Sequence, residues 1–338
     1  MIRFATPAEF NAALRDLPMP DAAARDAAAA RQAQLTKPAG SLGRLEDIAL
    51  FMAGWQGSVC PTVDRIAAVV FAGNHGCAAR GVSAFPTEVT AQMVANFHDG
   101  GAAINALARA CGASLAVVAL DLNRPTGDIA RGPAMSEADC LAALNAGAAS
   151  LPDDCQLFLP GEMGIGNTTP AAALCAASFG GNAADWVGKG TGIDAAALVR
   201  KRQVVDDALA RHRDDCGTAF ETLRRLGGRE IAAMSGAMLA ARHRRIPVLI
   251  DGFIACAAMA PMARFSPAIT GHCLAAHRSG EGAHGRLLDA LGFDPLLALD
   301  MRLGEGSGAA VAAQIVRSAL AAHGGMATFE EATVAGSP

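Results

Sequence analysis

The sequence predicts an α/β protein: an open, parallel sheet with helices on both faces. Three observations predict it. Short apolar runs without alternation are bounded by turn residues, which is how strands covered on both faces read. Ala-rich segments with helical spacing lie between those runs. Short glycine clusters sit at the junctions, where proteins of this class place their site loops.

Each element follows in chain order. The first 60 residues are Ala-rich and helical, with no strong strand before Arg65. Arg65–Ala72 (RIAAVVFA) reads as the first buried strand. Thr87–His98 carries Val89, Met93 and Phe97 at four-residue spacing, one face of a helix. Ser114–Leu120 (SLAVVAL), Gln156–Leu159 and Pro247–Ile250 read as further strands. Asp194–His212 is helical, with Leu198, Val205 and Leu209 on one stripe and Asp194 placed as its N-cap. The chain ends helically around Gly308–His323. These readings divide the chain into an α/β part over 61–290 and a smaller helical part in which 1–60 and 291–338 pack together.

Composition narrows the function. The 338 residues (34.3 kDa) amount to about two domains at roughly 150 residues each. Apolar residues make up 52%, charged residues 18%, and mean hydropathy is +0.28, so the chain can bury a large core and is not disordered. With 28 Lys and Arg against 32 Asp and Glu, net charge −4, it has no electrostatic footprint for nucleic acid. Tyr is absent and Trp is 2, which argues against a base-stacking platform. The longest apolar candidate for a membrane span, Phe253–Ala263, falls short of the roughly 18 residues required. The start, MIRFATPAEF, lacks the basic-then-apolar layout of a signal peptide, so a cytoplasmic protein is expected. The 9 cysteines form no C-x-x-C pair and read as free thiols of a reducing compartment.

Glycine is more informative than charge. Its 37 residues are about 11% of the chain, against roughly 7% on average. They cluster as GNHG (73–76), GEMGIGN (161–167), GKGTG (188–192) and GEGSG (304–308). Gly161–Pro170 follows an apolar run and opens an Ala-rich helix, so its backbone can either cradle a phosphate or simply turn tightly. Glu162 within it favours a site, since a carboxylate there calls for a cation or a ribose hydroxyl. Lys201 lies on the apolar stripe of its helix, where it either snorkels outward or reaches into a site. Glu305 stands between glycines just before a helix, as an exposed base or as a residue favoured by the helix dipole. His75 at a strand end is a ligand, a base or a hydrogen-bonded loop residue. Asp251, directly after PVLI, is either functional or the cap of the next helix. His272, His277 and His284 do not match any zinc spacing, so no metal is expected.

Together these segments resemble one family. KPAGSLGRLE (37–46), FAGNHGCAARGVSAFPTEVTAQMVANF (71–97), GEMGIGNTTPAAAL (161–174), GKGTGID (188–194), RKRQVV (200–205), PVLIDGFI (247–254), HRSGEGAH (277–284) and RLGEGSGAA (302–310) look like the nicotinate-nucleotide–dimethylbenzimidazole phosphoribosyltransferases of cobalamin nucleotide-loop assembly. The resemblance runs in order from about residue 30 to 323.

It implies a Rossmann-like sheet with a smaller helical domain from both chain ends, a homodimer, and no metal or organic cofactor. The implied partners are nicotinate mononucleotide and 5,6-dimethylbenzimidazole. Glu305, matching the family's catalytic glutamate, would take the benzimidazole proton, and Glu162 would stabilise charge on the sugar or assist as a second carboxylate. Gly164, Gly166, Asn167 and Thr168 would hold phosphate or ribose. Lys201 and Ser279 would contact the phosphate, and Asp251 would orient ribose or its neighbours. Phe85, Met93 and Leu303 would wall the flat base. Two readings compete. An NAD-dependent oxidoreductase would need the absent G-x-G-x-x-G after the first strand. A nucleotide-binding regulator would keep the glycine cradle but have no use for Glu305.

Overall fold

Three helices precede the first strand: α1 (Pro7–Ala13), α2 (Ala22–Gln34) and α3 (Arg44–Gln56). They are followed by β1 (Ile66–Ala72), α4 (Glu88–His98), α5 (Ala103–Cys111), β2 (Ala113–Ala119), α6 (Glu137–Ala149) and β3 (Leu157–Met163). Next come α7 (Thr168–Phe179), the single turn α8 (Ala183–Trp186), α9 (Ala195–His212), α10 (Ala219–Leu226) and α11 (Arg229–His243). The chain closes with β4 (Val248–Ile250), α12 (Phe253–Phe265), β5 (Cys273–Ala275), α13 (His284–Leu291) and α14 (Ser307–Gly325). This computed structural model describes residues 2–188, 190 and 192–335.

The strands form one parallel sheet in the order β2-β1-β3-β4-β5. β1 is buried at all seven positions, which is why its sequence shows no alternation. Its residues nonetheless alternate between two cores. Ala67, Val69 and Phe71 face α6, α7 and α9 to α12, while Ile66, Ala68 and Val70 face α3, α5 and α14. The edge strand β2 is only half-buried.

The expected helices and four expected strands are present, with two differences. β3 runs past Leu159 to Met163, because Pro160–Met163 continue the pairing with Val69–Ala72. Glu162 is therefore a strand residue with a fixed backbone. β5 is an addition to the expected set; three residues after a 3₁₀ turn carry no readable period. Segments near the two chain ends touch. Leu35 bridges Thr328, and Gln32 bonds the buried His323. α1 goes elsewhere: Phe4 and Phe10 join the core on the other face, with Phe10 edge-on to Phe220 of α10.

On that face α6 and α11 cross without a side chain between them. A Cβ on Gly147 would strike the Ala233 carbonyl, and one on Gly236 the Leu144 carbonyl. This close approach holds α11, which starts at the site, rigidly against the sheet. Asp194 caps α9 as expected, accepting from the Ala197 N–H at 2.7 Å.

Candidate active site

The chain leaves β1 toward β2 on one side and returns to β3 on the other, so a crevice opens where the strand order reverses. A cavity of about 120 Å³ lies beside it, at the carboxyl ends of β3, β4 and β5. Its wall comes from the β3–α7 loop, the first turn of α12, the segment after β5 and the segment before α14. The N-caps of α7 and α12, Asn167 and Gly252, both line it, and neither makes a side-chain capping bond. Two helix starts with their positive ends free make this a place for an anion.

Glu162 is one of several buried carboxylates at the site. One oxygen accepts from the Asn167 amide, which is why Asn167 does not cap its own helix. Burial pushes its pKa up to about 8, against the Asn167 bond, with further upward pushes from Glu230, Asp251 and Glu305. The carboxyl is thus poised near neutrality.

Glu305 is joined to it through the backbone. The Glu305 N–H donates to the Glu162 carbonyl at 3.2 Å. Its side chain is 5% exposed and accepts from the Ile104 N–H at 3.4 Å. The exposed loop base of the sequence reading is therefore corrected: the start of α5 covers this carboxylate. Burial raises its pKa, the Ile104 N–H opposes that, and Asp251 adds to it. Backbone geometry is unusual here. Gly304, Glu305 and Gly306 have φ of 86°, 62° and 81°, all left-handed.

Asp251 caps a helix, though not the next one. Its Oδ1 accepts from Ala309 N–H at 2.9 Å, in the first turn of α14, and stands 3.5 Å from His277 Nε2. It ties the end of β4 to the segment that presents Glu305.

Lys201 is 1% exposed. Its Nζ donates to Thr168 Oγ1 at 2.7 Å and to the Gly188 carbonyl at 3.1 Å. Burial pulls its pKa down to about 8, with Glu281 opposing. The helical stripe therefore points Lys201 inward, not out to solvent. Ser279 accepts from the Glu281 N–H at 3.1 Å, and Glu281 accepts from the Gly190 N–H at 3.4 Å. Lys189 and Thr191 of GKGTG lie outside the described residues.

Comparison with known proteins decides what this arrangement belongs to. A family model described as phosphoribosyltransferase matches residues 17–334. The nicotinate-nucleotide–dimethylbenzimidazole phosphoribosyltransferase of Novosphingobium aromaticivorans is 62% identical over 335 residues, 99% of each chain. The chain belongs to this phosphoribosyltransferase family. The family member of Mesorhizobium japonicum is 56% identical, covering 96% of this chain and 97% of its own. The crystal structure of CobT from Thermus thermophilus superposes with a TM-score of 0.87 at 40% identity, covering 93% of this chain and all of that one. The protein is a transferase with the family's parallel α/β fold.

Of the residues expected to serve the family's reaction, the cavity gathers Glu162, Gly164, Asn167, Thr168, Asp251, Ser279 and Leu303. Lys201 reaches it through Thr168, and Glu305 sits behind Gly304 and Glu162. Gly166 (φ 87°) shapes the turn into α7 without lining the cavity. Phe85 and Met93 are not brought to it. Phe85 is 50% exposed on the segment before α4. Met93 shares a helix face with the buried Thr90 and Phe97 and packs against the core that holds Ile66, Ala68 and Val70. Sequence reasoning missed His277 and Glu281 as wall residues. Glu281 carried the signal already noted for Glu305, a carboxylate between two glycines.

Proposed function

We infer that this cavity binds nicotinate mononucleotide and transfers its 5-phosphoribosyl group to 5,6-dimethylbenzimidazole, giving α-ribazole 5′-phosphate and nicotinate. The observation that carries the reading is the pair Glu162 and Glu305, two buried carboxyls joined through one backbone hydrogen bond, beside a cavity wall whose Thr168 is held by a buried lysine. The chemistry asks for little more. Nicotinate leaves from a pyridinium, so no acid and no metal is needed to expel it. Benzimidazole must lose an N–H proton, so one base is needed. The sugar carbon gains positive charge, so a nearby carboxylate lowers the barrier.

Each demand has a residue. Glu305, with its proton affinity raised by burial, takes the benzimidazole proton. Glu162, once ionised, faces the developing charge on the ribose. Phosphate lies against Gly164, Asn167, Thr168 and Ser279 at the start of α7, with Lys201 turning from Thr168 to meet it. Asp251 holds ribose or the α14 segment in place. Leu303, 55% exposed at the cavity wall, offers apolar area to the flat base. The enzyme acts as a homodimer in the cytoplasm, a reading supported by the family resemblance and by exposed Phe85 and Val199 on one protomer. Mixing the protein with both substrates and following nicotinate release tests the function. Release that depends on dimethylbenzimidazole is expected; release without it, or none, would refute the reading.

A further inference from the structure

One buried pair has no role in that chemistry so far beyond the upward push of Glu230 on Glu162. His75 follows β1 and Glu230 opens α11; both side chains are fully buried, with His75 Nε2 2.6 Å from Glu230 Oε1. Their outer atoms, His75 Nδ1 and Glu230 Oε2, have no hydrogen-bond partner among the described residues. Such a pair costs desolvation and adds little net stability, so stability alone is a weak reason for it.

Its surroundings give another reason. A Cβ on Gly164, a cavity residue, would stand 3.0 Å from Glu230 Oε1, 3.1 Å from His75 Nε2 and 2.9 Å from the Gly73 carbonyl. A Cβ on Gly73 would stand 2.5 Å from Glu230 Oε2, and one on Gly228 2.9 Å from the same oxygen. Three segments are thus stripped of side chains so that the pair can lie directly behind the Gly164 backbone. The same loop is tied on by Thr90 Oγ1, which accepts from the Ile165 N–H at 3.2 Å.

We propose that His75 and Glu230 are positioning residues, a rigid brace that sets where the Gly164 backbone meets the nucleotide. The inference rests on the nucleotide-binding reading above. It predicts an effect on one substrate only, because Gly164 belongs to the phosphate and ribose side. Misplacing a positioning group by a fraction of an ångström is costly where geometry is preset.

The test is a double-mutant cycle on Gly164→Ala and Glu230→Ala, read by calorimetric titration with nicotinate mononucleotide and by the Michaelis constant for dimethylbenzimidazole. Binding of nicotinate mononucleotide to the wild-type protein first establishes the reading on which the cycle depends. Each single change should weaken the nucleotide about 10- to 100-fold, the range for residues that orient a functional group, with the benzimidazole constant held within about twofold. The double variant should lose somewhat less than the product, because removing the Glu230 side chain relieves its 3.0 Å contact with the new Cβ while the Gly73 carbonyl and the His75 ring stay against it. Glu230→Gln keeps an acceptor for His75 and should bind the nucleotide within about threefold of wild type. Equal losses for both substrates, or losses that simply multiply, would overturn the proposal. If Glu230→Ala does not fold, Gly164→Ala against Glu230→Gln decides: loss in the first alone supports the brace, and equal loss in both overturns it.

Discussion

Replacing Glu162 by Gln should make the protein more stable in alkali while disabling it. The carboxyl has a folded-state pKa near 8 against an ordinary 4.5, so between those values the folded protein binds a proton that the unfolded chain has lost. Its contribution is fully present below pH 4.5 and disappears as pH rises through 8. At 1.36 kcal/mol per pH unit, that interval is worth about 5 kcal/mol. A chain of 338 residues unfolds with an entropy of about 0.7 kcal/mol/K, so this corresponds to about 7 °C in Tm. Gln keeps an acceptor for Asn167 and carries no charge at any pH. The Tm of Glu162→Gln minus that of wild type should therefore rise by about 7 °C between about pH 5 and pH 9.5, followed by calorimetry. The difference is the right quantity because Lys201, with its pKa lowered from 10.5 to about 8, works in the opposite sense and cancels. Its contribution is absent below pH 8 and grows as pH rises toward 10.5. Parallel Tm curves for the two proteins would refute the argument that Glu162 is a buried acid.

Further expectations concern the reaction. Glu305→Gln should lower turnover by about 10²–10⁴-fold, the loss typical of a removed general base; near-normal turnover would assign the proton to another acceptor. Lys201→Met keeps the apolar stem, so it should weaken nicotinate mononucleotide in calorimetric titration and leave the benzimidazole constant unchanged. Because Glu162 must lose its proton and Lys201 keep its own, both near pH 8, kcat/KM should peak close to 8. Lys201→Met should remove the alkaline fall, and a profile flat from pH 6 to 9 would contradict both assignments. Leu303→Ala should raise the Michaelis constant for dimethylbenzimidazole alone, by roughly tenfold for about 1.5 kcal/mol of lost apolar contact.

Much of this was legible along the chain, for identifiable reasons. β1 declared itself because both its faces are covered, so every residue had to be apolar. Lys201 stood out because a charge on a buried stripe is expensive. Glu162 and Glu305 were recognisable by their glycine settings and by the family's motifs. What was hidden depended on contacts across long sequence separations. The burial of Glu305 comes from Ile104, 201 residues away, so its loop looked exposed. Asp251 caps α14, 58 residues on, in place of the helix beside it. Met93 has a spacing that favours the core while the family resemblance points it to the pocket, and the packing of α4 sets it against the core.

The left-handed turn of Glu305 has a consequence for how this enzyme can be altered. Three successive residues with positive φ form a bend that glycine adopts freely and other residues adopt at a cost of about 1 kcal/mol or more. The backbone would thus favour glycine at a place where the proposed reaction requires a carboxylate. Glu305→Gly should be a well-folded, inactive protein, with relief of strain offsetting part of the lost Ile104 contact, whereas Glu305→Val or Glu305→Ile should weaken the fold outright. Random mutagenesis screened only for folded protein would enrich glycine at 305 and report nothing wrong; the same library screened for turnover would return glutamate.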